Sequence, residues 1–163
     1  MTGEIIIENV KDVVAVAQTI VESAKKDVVW QLSPPMLAIF VQYGAPGKSR
    51  MVLERGGRVR GITQISETSR DVVRKFLDIG QEVRHVDQFQ GAFMIVADKK
   101  ESISSVNPAI EYLSLDGRVV AFWTDDQAYA DFLTAAFEAA WSKAVDAEKR
   151  LGAKTSVGLR SGA

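Results

Sequence analysis

The apolar residues of the first eighty positions switch repeatedly between two periods, and that alternation restricts the fold more than any other feature. Ile5-Ile6-Ile7, bounded by Gly3 and Asn9, is a β-branched run that predicts a buried strand. Val13, Val14, Ala17, Ile20, Val21 and Ala24 then recur at helical spacing, with Asp12 as the expected cap, and leave Gln18, Glu22, Lys25 and Lys26 on the polar side. Residues 28–32 return to strand character and stop at Ser33-Pro34-Pro35, a helix entry because proline in the first turn forfeits no hydrogen bond. Residues 36–43 read as a helix, with a strand as the alternative given their β-branched content. After Gly44-Ala45-Pro46-Gly47 a short helix is expected over 48–55. A strand follows over 58–65, with Val59, Gly61 and Thr63 on one face and Arg60, Ile62 and Gln64 on the other. Thr68 and Asp71 resemble a capping box ahead of the stripe Val72, Val73, Phe76 and Leu77, which Gly80 ends. Strand–helix alternation of this kind predicts a parallel sheet covered by helices.

The second half changes style. Residues 82–86, 92–96, 103–106 and 119–123 are strand-like, and Asp116-Gly117 between 112–115 and 119–123 is a hairpin signal. Thr124 and Gln127 form a possible capping box for a long last helix with the stripe Tyr129, Phe132, Leu133, Ala136, Phe137, Ala140, Trp141, Ala144 and Val145. Residues 149–163 carry Gly, Ser, Lys and Arg without an acid and read as a frayed, mildly basic tail. The fold class expected is α/β: a mixed, mostly parallel sheet with helices on both faces and a long C-terminal helix. One domain is expected over 1–148, followed by the tail.

Composition narrows the chemistry. With 163 residues the chain suits one full core. Zero cysteines exclude disulfides, thiolate metal sites and cysteine nucleophiles, and one histidine, His85, excludes multi-histidine metal sites. No apolar run approaches the roughly 18 residues that cross a bilayer, and no signal-peptide pattern follows Met1, so a soluble, cytoplasmic protein without membrane insertion is expected. Asp125 and Asp126 are better explained as capping the last helix than as metal ligands, so neither a metal nor another cofactor is expected. A formal net charge of −1 and no visible helix-turn-helix spacing predict that this domain does not itself bind nucleic acid tightly.

Several local patterns invite a functional reading. Gly44 to Ser49 ends like a phosphate-binding loop, but Gln42 stands where that motif needs glycine, and a turn between two helical pieces is the plainer account. Residues 93–98, an apolar run ending in Asp98, would be the metal-holding strand of such a site. Lys48, Arg50, Arg55, Arg58 and Arg60 crowd into thirteen positions against Glu54 alone, which reads as a solvated basic face. His85 shares a strand face with Asp87; the pair could exchange protons, yet a hydrogen-bonded structural histidine explains it as well. Trp141 belongs to a helix stripe and therefore to the core, whereas Trp30 and Trp123 suit core or pocket equally.

Residues 82–86, then 93–102, then 121–126 with the long helix ending near Trp141, resemble the phospholipase D-like fold, most of all its degenerate versions in prokaryotic, especially archaeal, transcription regulators and sensor kinases. The active family carries His-x-Lys-x-x-x-x-Asp, in which the histidine attacks phosphorus, the lysine holds the phosphoryl oxygens and the aspartate supports the site. Laid on this strand the motif falls on Gln90, Ala92 and Ala97, or, shifted by one, on Gly91, Phe93 and Asp98. Neither frame supplies the histidine or the lysine, so no catalytic role is carried over and an enzyme is not expected.

What the resemblance implies is a cleft at the carboxyl ends of the strands. Gln31, Ser33, Gln64, Ser66, His85 and Gln90 would line it, with Trp123 closing the wall. The expected function is a non-catalytic sensory or regulatory domain that binds a small molecule or a protein partner and signals to an output module, residues 143–151 beginning the connection. The alternatives are a phosphodiesterase or nuclease of the single-motif class and a pure dimerisation module. The resemblance also implies a homodimer, and Phe89, Phe93 and Trp123 would supply aromatic surface for its interface.

Overall fold

The computed structural model describes residues 3–88, 93–105 and 118–152. Its first half follows the alternation: β1 (Glu4–Asn9), α1 (Val10–Ser23), β2 (Asp27–Gln31), α2 (Pro34–Gln42), α3 (Ala45–Glu54), β3 (Arg58–Thr63), α4 (Arg70–Asp78) and β4 (Glu82–His85). Then come β5 (Met94–Ala97), β6 (Glu101–Ser105), β7 (Arg118–Thr124), α5 (Gln127–Lys143) and β8 (Val145–Asp146). The hairpin expected at Asp116-Gly117 lies outside the described residues.

All eight strands form one sheet in the order β1-β7-β6-β5-β2-β3-β4-β8. Only β2–β3 and β3–β4 pair in parallel; the other neighbours are antiparallel. The sheet is mixed, as expected, but not mostly parallel. The reason is connectivity: a parallel pair needs a crossover, and helices lie between β2, β3 and β4, whereas β5 and β6 join through a tight turn that reverses the chain.

Four helices pack on one face and α5 on the other. The larger core joins α1 through Val10, Val13, Val14, Ala17 and Ile20 to Val28, Trp30, Ile95 and Ile103 of the sheet. The smaller joins Val29, Ile62, Met94 and Val96 to Ala130, Leu133, Phe137 and Trp141 of α5, so Trp141 is core as its stripe requires. The alternation read for β3 holds, but β1 is an edge strand: Ile7 is 7% exposed while Ile5 and Ile6 are 55% and 67% exposed, so the expected buried strand is buried at one residue of three. The long helix is not the last element. The chain returns as β8 along β4, and residues 147–152 are helical, with Ala147 and Leu151 fully buried in the larger core.

The helix caps fall partly where expected. Asn9, not Asp12, caps α1: its Oδ1 accepts from the Asp12 N–H at 2.8 Å, and its amide donates back to the Asp12 carboxylate at 2.6 Å. Asp126 caps α5, as expected, by accepting from the Ala128 N–H, while Thr124 accepts from the Asp126 N–H instead of forming the box with Gln127. Ser69 stands at the start of α4, with no side-chain bond into the helix, in place of the Thr68 box.

Two contacts fix the middle of the sheet. Trp30 lies flat across β3 at Gly61, where an added Cβ would fall 1.9 Å from the indole ring. A methyl group there has no space unless Trp30, 4% exposed and packed against Phe76, shifts within the core. Gly61→Ala is expected to destabilise the protein by about 3 kcal/mol through overpacking, read as a lower urea midpoint.

The second contact is Asp98, whose carboxylate accepts from the Lys25, Lys26 and Asp27 N–H groups at 2.8, 2.8 and 2.9 Å, while its own N–H donates to the Asp27 carbonyl at 2.7 Å. Burial pushes this carboxyl up, but the three amides together outweigh burial and hold it below the usual carboxylate range. A depressed folded-state value means that stability is present above the unfolded pKa of about 3.9 and is lost as pH falls toward the folded value. Asp98→Ala is therefore expected to lower the urea midpoint at neutral pH, with the gap to the parent chain narrowing below about pH 4.

Candidate binding cleft

Parallel strands β2, β3 and β4 end side by side, so the residues after them converge without long loops. Gln31 closes β2, Gln64 and Ser66 follow β3, and His85 closes β4. His85 is 4% exposed. Its Nδ1 accepts the Ile65 N–H at 2.9 Å, which leaves the ring proton on Nε2, where it meets Asp87 Oδ1 at 3.0 Å. Gln64 donates its amide to the Asp87 carbonyl at 3.0 Å. Ser69 Oγ accepts the Ser66 N–H and donates to the Gln64 carbonyl, both at 2.9 Å, and the Ser66 hydroxyl meets Thr68. Gln64, Ser66, His85 and Asp87 are thus brought together, and they spend their hydrogen bonds on one another's loops.

The remaining residues fall differently. Ser33 stands at the head of α2, and its buried hydroxyl has no hydrogen-bond partner among the described residues. Gln90 lies outside the described residues. Trp123 sits on β7 in the same cross-sheet row as Trp30 but three strands away, about 14 Å at ordinary strand spacing. Its indole N–H donates to Glu101 at 2.8 Å, so it stands apart from the cleft. Trp30 belongs to the larger core, beside an apolar cavity of about 30 Å³ between the sheet and α1–α4, room for little more than one water.

The other sequence signals dissolve into structural roles. The Gly-Lys-Ser end of the phosphate-loop pattern is the first half of α3: Lys48 pairs with Glu22 at 2.8 Å and Ser49 is buried. The basic stretch 48–60 is a solvated face only in part: Arg50, Arg55 and Arg58 are exposed, as expected, and Arg60 is buried. Arg55 donates to the Glu22 and Ala24 carbonyls, and Arg58 grips Glu82 through two bonds. Arg60 is 7% exposed, bidentate to Glu138 at 2.5 and 3.1 Å, with its guanidinium 5.3 and 5.5 Å from the Phe137 and Trp141 ring centres. Arg84 stacks on Trp141 at 4.1 Å. Asp125 accepts from the Gly3 N–H, and the described residues hold no cluster of three or more metal-ligating side chains. Phe93 is fully buried, which removes it from any interface patch; Phe89 lies outside the described residues.

Sequence reading missed the Arg60–Glu138 pair and the Asp98 clamp, because both join residues more than seventy positions apart. The one available signal for the first was the face that Arg60 shares with the apolar Ile62. Replacing His85 by Ala leaves the buried Ile65 N–H without its acceptor and is expected to cost about 1–3 kcal/mol, measured by urea denaturation.

No family model and no curated protein sequence matches the chain. Solved structures do. Nuc from Salmonella typhimurium, a phospholipase D family member, superposes with a TM-score of 0.70 at 11% identity, covering 90% of this chain and 98% of Nuc. NucT from Helicobacter pylori gives 0.70 at 13% identity, covering 90% and 99%. TrmBL2, an archaeal chromatin protein with a novel mode of DNA binding, gives 0.68 at 16% identity over 87% of this chain, which spans about half, 53%, of TrmBL2. That finding overturns the expected exclusion of nucleic acid. Net charge is a sum over the whole surface, whereas phosphate binding depends on where the cations stand, and a chromatin protein carries this same scaffold. None of the helices among the described residues is long and apolar enough to cross a membrane. The chain has the phospholipase D-like fold.

Proposed function

We propose that this chain is a single, cytoplasmic, non-catalytic regulatory domain of phospholipase D-like fold that acts by binding a small molecule or a protein partner and passes its state to an output module. One observation carries the reading: the described positions on which the family motif falls, Phe93, Ala97 and Asp98, serve the architecture. Phe93 is fully buried, Ala97 is 3% exposed, and all of Asp98's acceptor strength goes to three backbone amides. The lone histidine offers no free lone pair for attack on phosphorus, since Ile65 N–H occupies Nδ1 and Nε2 carries the proton toward Asp87. The polar strand ends, with the unpartnered Ser33 hydroxyl and the 97%-exposed Asp87 side chain, are where a ligand or partner would engage.

The two nucleases among the similar structures supply the competing reading, a phosphodiesterase. Incubation of the full chain with bis-p-nitrophenyl phosphate separates the two. The expected outcome is no release of nitrophenol above the buffer rate, in the parent chain and in His85→Ala alike. Hydrolysis that disappears in His85→Ala, with the variant still folded by circular dichroism, would establish an enzyme.

A further inference from the structure

The Asp98 clamp does more than join strands. It brings the end of the α1–β2 connection, Lys25-Lys26, against the β5–β6 turn, Lys99-Lys100, although the two pairs are separated by more than seventy positions. The turn is held in shape by Asp98 and Lys99, both left-handed with φ of 54°. Strands β2 and β5 are neighbours, so the two lysine pairs project from one edge within about 5–10 Å of each other at the backbone. All four lysines are exposed, and among the described residues none of their ammonium groups has a hydrogen bond or an ion pair. Arg55, with Lys25, Glu22 and Ser23, lines a wide depression of about 490 Å³ beside them.

The acids nearby are already committed. Asp98 is spent on amides, Glu22 on Lys48, Glu82 on Arg58, Glu101 on Trp123 and Glu138 on Arg60. Asp27 is half-buried, and burial pushes its carboxyl up against the pull of Arg60, Lys99 and Arg58. Asp98 keeps its charge while its oxygens bind amides, so four lysines stand against Asp98 and Asp27, a local excess of positive charge on a chain whose total charge is −1.

We propose that this edge, Lys25, Lys26, Lys99 and Lys100, docks the phosphodiester backbone of duplex nucleic acid without reading its sequence. Lysine ammonium groups are point charges suited to phosphate oxygens, and a duplex presents one negative charge per about 1.7 Å of axis, a density that acidic protein surfaces lack. The patch has no apolar centre: the exposed large hydrophobic residues Ile5, Ile6, Tyr43, Phe132 and Val145 belong to other segments. The centre of a protein interface is apolar, whereas backbone contact with a duplex needs no such centre. The edge lies at the opposite end of β2 from Gln31 and is independent of the cleft and of the regulatory reading.

Fluorescence anisotropy of the full chain with a short labelled duplex of random sequence, titrated from about 50 to about 200 mM salt, tests the proposal. The expected result is binding whose logarithm falls linearly with the logarithm of salt. Lys25→Ala/Lys26→Ala/Lys99→Ala/Lys100→Ala should bind at least tenfold more weakly, with the slope reduced by about 3–4. Replacing the same four lysines by arginine should retain binding, and Lys11→Ala/Arg74→Ala, on exposed helix positions elsewhere, should match the parent. Circular dichroism confirms that each variant is folded. No measurable binding at about 50 mM salt, an alanine variant that binds like the parent, or polyglutamate competing as well as duplex at equal charge would each overturn the proposal.

Discussion

Asp98 sits where two differently built halves of one sheet meet. On one side β2, β3 and β4 run parallel with helices between them; on the other β5, β6, β7 and β1 alternate in direction. Among the described residues the only ladder joining the halves is β2 against β5, four residue pairs long. A carboxylate that accepts three successive amides, and whose own N–H returns to the Asp27 carbonyl, fixes the register of that short ladder from its end. Register matters because a one-residue slip would invert one half of the sheet against the other, putting Ile95 on the α5 face and Val96 on the α1 face while Trp30 and Val29 kept theirs.

The two faces are sealed by different means. Beneath α1–α4 the packing is apolar almost throughout, whereas beneath α5 a guanidinium is buried among aromatic rings. Arginine suits that position better than lysine: its planar fork satisfies both Glu138 oxygens at once, and its faces tolerate Phe137 and Trp141. Arg84 repeats the arrangement one strand over, on Trp141 and its carbonyl. The resulting layer locates α5 by direction as well as by burial, because a bidentate pair accepts little rotation of the helix.

Much of this was legible from residue types. The period changes gave α1 to α5 and the chain order of β1 to β7, but neither β8 nor the helical residues 147–152, and the paired prolines after Ser33 set the start of α2. What eluded sequence reading has a common cause. Exposure of Ile5 and Ile6 depends on which strand has only one neighbour, and no local pattern encodes that. The direction of β5 to β7 is set by turns and by long-range pairing. The basic stretch 48–60 gave no sign that Arg60 is buried, because its partner Glu138 lies in a later element. Of the cleft, the convergence of Gln64, Ser66 and His85 followed from parallel strands, while the removal of Trp123 to a distant strand followed from the sheet order alone.

The place of β1 has a consequence for synthesis. Among the described residues its sole partner is β7, with Glu4 opposite Thr124, so β1 is made well before the strand it pairs with. At about 5–20 residues per second, residues 4–9 wait on the order of 6–25 seconds for 118–124 to be polymerised. Throughout that interval three consecutive isoleucines with free backbone groups are attached to a ribosome alongside other nascent chains. Glu4 and Glu8, which bracket Ile5-Ile6-Ile7, then serve as gatekeepers, placing charge at both ends of the segment most apt to pair with a stranger.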